Sequence, residues 1–149
     1  MNDPLRSFNT LLPAAVVLTL ALAPLAKAQN GINEKDAERL ITNMYDDAKK
    51  FRSSFNASIS KSSIRKTAQE KESKTLVEQF LTDIGNMRSE FRKKKVVALT
   101  FPKVQSAAVQ IDDLLQSVHL DEPTNTAWAK VRSEFQQVST AFNIPPALH

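Results

Sequence analysis

The chain has 149 residues, with 20 Lys and Arg against 16 Asp and Glu and a formal net charge of +4. It has no cysteine and two glycines, which excludes a disulfide framework, a thiolate metal site, a thiol nucleophile, c-type haem attachment and a Gly-rich phosphate loop. Low glycine with abundant Ala, Lys, Glu, Gln and Ser favours helix.

Residues 1–28 read as a secretory signal peptide. Arg6 supplies a positive start. Leu11 to Leu25 is an apolar run broken only by Thr19 and punctuated by Pro13 and Pro24. Ala26-Lys27-Ala28 places small residues where a signal peptidase needs them. The run is shorter than the roughly 20 residues of a spanning helix, so cleavage is expected rather than anchoring. The expectation is a secreted or periplasmic protein in which residues 29–149 form one domain.

The remaining charge is uneven. Residues 29–48 carry two bases and five acids, residues 49–103 fourteen bases and five acids, and residues 104–149 two bases and five acids. A basic belt therefore lies between two acidic ends.

The first helix is expected to start at Asn33, a good N-cap followed by Glu34, Asp36 and Glu38, where the helix dipole favours negative charge. Ala37, Leu40, Ile41, Met44, Ala48, Phe51, Phe55 and Ile59 form its apolar stripe. The Ser-rich stretch 58–63 has weak helix propensity and ends it between residues 56 and 63.

A second helix is expected from about Thr67 to about Lys95, with Leu76, Val77, Phe80, Leu81, Ile84, Met87 and Phe91 on its stripe. Its polar opening, Gln69 to Lys74, is expected to project past the core or fray. Gly85 reads as a point of close packing. Thr100-Phe101-Pro102 marks the next start. The third helix follows with Val104, Ala107, Ala108, Ile111, Leu114, Leu115 and Val118. Asp121 to Thr124 opens a fourth, with Trp128, Val131, Phe135, Val138 and Phe142 at alternating steps of three and four.

The only β-like run, Val96 to Leu99, is too short to stand alone. These elements predict an all-α, up-down-up-down four-helix bundle after a cleaved signal peptide. Trp128, Phe135, Phe80, Ile111 and Leu115 are expected at the core's centre.

Candidate sites are few. Arg88, Arg92, Lys93, Lys94, Lys95 and Lys103 form the most conspicuous basic run, with the chemistry to hold an anionic lipid surface or a polyanion. A solvated helix C-terminus explains the same residues. His119 lacks the Glu-x-x-His spacing of a di-metal bundle, because Gln116 stands three residues before it. Met44, Met87 and His119 lack the paired spacing of haem ligands. The acidic pairs Asp46-Asp47 and Asp112-Asp113 diverge by about 100° on a helix, so neither converges on one ion. Asp112 and Arg132 each follow a core residue and are expected to pair across the third and fourth helices.

Trp128-x2-Val131-Arg132-x2-Phe135-x2-Val138-x3-Phe142 resembles the last helix of a group of uncharacterised, small, secreted bacterial helical-bundle proteins. Val104-x2-Ala107-Ala108-x2-Ile111-Asp112 and Phe80-x6-Met87-Arg88-x2-Phe91 are similar to the helices before it. The resemblance implies a helical fold over most of residues 29–149 and brings no activity.

The expected function is that of a non-catalytic binding or structural module of the cell envelope, with no cofactor, no metal and no nucleic acid. An unidentified protein partner is favoured. An anionic membrane or polyanion held through residues 88–103 is the alternative. The oligomeric state is left open.

Overall fold

The computed structural model describes residues 32–145, so the signal-peptide reading and the boundary at residue 29 lie outside the described residues. These form four helices and no strand: α1 (Glu34–Ile59), α2 (Ala68–Lys94), α3 (Phe101–Ser117) and α4 (Glu122–Ala141). The arrangement is an all-α helical bundle. α1 lies beside both α2 and α4, and α3 packs on α2.

The helix starts follow the capping residues. The Asn33 side chain accepts the Asp36 N–H at 2.9 Å, and the Asp121 carboxylate accepts the Thr124 N–H at 3.1 Å. Thr67 accepts from the Glu70 N–H, and the Glu70 carboxylate reaches back to the Lys66 N–H, a close variant of the reciprocal capping box. Pro102 stands in the first turn of α3, where a missing N–H costs little. At the far end of α2, Lys95 turns left-handed at φ 57° and returns its N–H to the Phe91 carbonyl.

The opening of α2 does not fray: it is helical from Ala68, with Ala68, Gln69, Lys71 and Glu72 exposed ahead of the first buried apolar residue, Val77. Lys74 Nζ bonds Glu70 at 2.6 Å and Ser60 Oγ at 3.1 Å, and Ser73 is buried. These polar bonds tie the first turns of α2 to the end of α1, a stabilisation that an apolar pattern does not register.

The core follows the stripes. Phe51, Phe55, Phe80, Phe91, Phe101 and Phe135 are the largest fully buried side chains. Trp128 lies between Phe51 and Phe80, with ring centroids 4.9 and 5.6 Å away. Phe101 and Phe135 stack at 4.8 Å. Leu115 is not central: it is half-buried, as is Leu114, while Ile111 before them is fully enclosed. The two leucines are adjacent, about 100° apart, and the seam divides between them. Leu40 and Leu76 sit at similar borders.

Gly85, read from the sequence as a point of close packing, faces Tyr45. A methyl group there would lie 3.4 Å from Tyr45 Cε2, at the limit of ordinary contact. The Tyr45 ring in turn carries the Arg88 guanidinium 4.2 Å from its centroid.

Candidate functional site

The six bases of the expected patch have different environments. Arg88 lies over Tyr45. Arg92 Nε bonds Glu38 at 2.7 Å, and Lys95 Nζ is 3.5 Å from Glu34. Lys94 pairs with Glu90 at 3.0 Å on its own helix, which lowers the Glu90 pKa. The acidic start of α1 thus partly neutralises the basic end of α2. Lys93 and Lys103 make no ion pair among the described residues and are exposed. Lys103 is also on the wall of a groove between α2 and α3.

That groove encloses about 840 Å³. Leu76 and Ala107 give it apolar surface, and Lys71, Gln79, Lys103 and Gln110 are among its polar lining residues. Its α2 wall runs from Ala68 to Asp83, about 22 Å at the helical rise. Asp83 also lines it and is mostly buried, with Oδ1 accepting from Gln79 Nε2 at 3.0 Å. No Lys or Arg among the described residues reaches Asp83 within ion-pair distance. The groove therefore holds an acid suited to a cation from elsewhere.

A second polar cluster bridges α1 and α4. Asp47 is buried and takes Lys130 Nζ on Oδ2 and Lys50 Nζ on Oδ1, each at 2.7 Å. Glu134, 9% exposed, is hydrogen-bonded to Asp47, and its Oε2 is buried without a hydrogen-bond partner among the described residues. Burial, then the hydrogen bond with Asp47 and the Asp47 charge, push the Glu134 carboxyl up to about 7, so its protonated form, which donates to Asp47, persists to near-neutral pH. Burial also acts to raise Asp47, but the bonds from Lys130, Lys50 and Glu134 outweigh it and bring it down to about 2. The same contact raises Lys130.

Two carboxyls with separated affinities are the raw material of acid–base chemistry. Here their shell is closed by two lysines, and neither carboxyl lines the α2–α3 groove. Sequence reading missed this pair. Asp47 stands three residues after Met44 and Glu134 three after Val131. Continuation of each stripe at a step of three was the available signal.

The third cluster was expected in part. Arg132 Nε lies 3.6 Å from Asp112 Oδ2, the anticipated α3–α4 pair. Trp128 Nε1 also donates to Asp112 Oδ1 at 2.6 Å, a bond not anticipated. His119 is exposed just past the end of α3, and Met44 and Met87 are core residues. Among the described residues no group of three His, Cys, Asp or Glu is placed to hold a metal ion, and no helix is long and apolar enough to cross a membrane.

No protein family, curated protein or solved structure compared with the chain matches it.

Proposed function

We propose that this chain is an exported, non-catalytic binding module of the cell envelope that receives a helical segment of a partner protein in the α2–α3 groove. The observation that carries this reading is the groove itself. It is long enough for about four helical turns, has apolar surface at Leu76 and Ala107, and contains a carboxylate at Asp83 with no Lys or Arg at ion-pair distance among the described residues. An amphipathic partner helix with one Lys or Arg set for Asp83 has the complementary chemistry.

Export rests on the signal-peptide pattern of residues 1–28. An up-down-up-down order is supported by pairs between neighbouring helices. Glu38 meets Arg92 while Arg52 meets Glu78, and Phe101 meets Phe135 while Asp112 meets Trp128. In each case a later residue of one helix meets an earlier residue of the next.

The test is a photo-crosslinking residue placed at Gln79 or Ser106 of the protein exported in its own host. The expected result is a discrete adduct that fades when Leu76→Glu or Asp83→Asn is added and is absent with the crosslinker at Asn125. Equal labelling at Asn125 would remove the groove as the recognition surface.

A further inference from the structure

Leu99 is the one large hydrophobic side chain that stands exposed among the described residues, at 71%. A single exposed leucine is ordinary on a protein surface. Its setting is what gives this one meaning. It sits on the turn between α2 and α3, pinned on both sides. Val97 and Phe101 are buried in the core, and the Val97 carbonyl accepts the Thr100 and Phe101 N–H groups at 3.0 and 2.8 Å. The Thr100 hydroxyl bonds the same carbonyl. The turn is therefore a preformed tip that presents Ala98 and Leu99 outward, with little ordering left to lose on contact.

The tip is flanked by cations. Between Arg88 and Lys103 there are six bases and one acid, Glu90. Glu38 and Glu34 draw Arg92 and Lys95 towards α1, which leaves Lys93, Lys94 and Lys103 exposed beside the turn. The Lys94 pair with Glu90 is an exposed same-helix contact, weak enough to exchange for another anion. An apolar point flanked by ammonium groups is complementary to an interface in which anionic headgroups overlie acyl chains. A soluble polyanion matches the lysines but gives Leu99 nothing to enter.

We propose that the α2–α3 turn is a docking tip for an anionic lipid surface, with Leu99 entering the acyl boundary while Lys93, Lys94 and Lys103 pair with headgroup phosphates. Lys103 also lines the partner-binding groove, but Leu99, Lys93 and Lys94 do not, and the variants at those three positions test the tip independently of the function proposed above.

Co-sedimentation of the exported protein with phosphatidylcholine vesicles, with and without phosphatidylglycerol, tests it. Binding is expected only with phosphatidylglycerol, persisting at about 0.15 M salt. Leu99→Ser is expected to lower partitioning about ten-fold, as for loss of one buried leucine. Lys93→Gln with Lys94→Gln is expected to lower it at least ten-fold. Leu76→Glu should leave it unchanged, which separates the tip from the groove. Circular dichroism confirms that each variant is folded. Binding that loses nothing in Leu99→Ser would mean polyanion adhesion alone and overturn the proposal. So would equal sedimentation with both vesicle types, or none with either.

Discussion

Trp128 and Asp112 join α4 to α3 through a bond of 2.6 Å from the indole Nε1 to Oδ1. The same indole packs on Phe51 of α1 and Phe80 of α2. One side chain thus touches the other three helices, and its polar edge is satisfied where the core meets the rim. Trp128→Phe keeps most of the packing and strands the Asp112 oxygen. It is expected to destabilise by about 1–3 kcal/mol, within the range for an unsatisfied partly buried group. Trp128→Ala is expected to cost about 3–5 kcal/mol. Urea melts read both. Equal losses would show that the bond matters more than the ring.

Phe135 stacks on Phe101 and is fully buried, so Phe135→Ala is expected to cost about 3–5 kcal/mol. Lys94 is exposed and among the described residues pairs within its own helix, and Lys94→Ala should change stability by less than about 0.5 kcal/mol. Similar urea midpoints for these two variants would contradict the assigned faces.

Gly85→Ala tests the α1–α2 contact. Alanine gains up to about 1 kcal/mol over glycine in a helix interior. Its methyl group would just touch Tyr45 Cε2 at 3.4 Å. A small net stabilisation is expected for Gly85→Ala and a loss for Gly85→Leu, measured by thermal melting. A destabilised Gly85→Ala would mean that Tyr45 cannot yield.

The Asp47–Glu134 pair gives stability a defined pH dependence. The Glu134 carboxyl rises from 4.5 to about 7 on folding, so the folded chain holds more proton than the unfolded chain between those values. Stability therefore falls as pH rises from 4.5 through about 7, and that loss is complete above it. Asp47 works in the opposite sense. Its contribution is full above 3.8 and is lost as pH falls towards about 2. Together the pair contributes most near pH 4–4.5. Glu134→Gln retains a donor to Asp47 and removes the titration, so the decline above pH 4.5 should flatten. Parallel stability–pH curves for the two proteins would refute the assignment.

The helices were legible because their stabilising elements are local. Apolar residues at steps of three and four gave the buried faces, and Asn33, Thr67 and Asp121 gave the starts. Phe101 was read only as part of a start signal, yet it is fully buried, because the first residue of α3 already faces Phe135. Asp47 and Glu134 carried only a weak signal, the continuation of each stripe at a step of three, for a different reason. Each reads as a charged flank of its own helix, and only the meeting of α1 with α4, 87 positions apart, makes them a pair. The basic run was visible as composition. Its partial neutralisation by Glu34 and Glu38 depends on which end of α1 lies beside the end of α2. Leu99 belonged to a short β-like run whose outward turn is set by the anchoring of Val97 and Phe101.

The most direct test of a groove-binding module is amide hydrogen exchange on the exported protein, alone and in its own envelope extract. The account predicts added protection confined to the two walls of the groove, residues 68–83 of α2 and 103–110 of α3. Protection concentrated on α1 and α4, or no difference between the two samples, would contradict it.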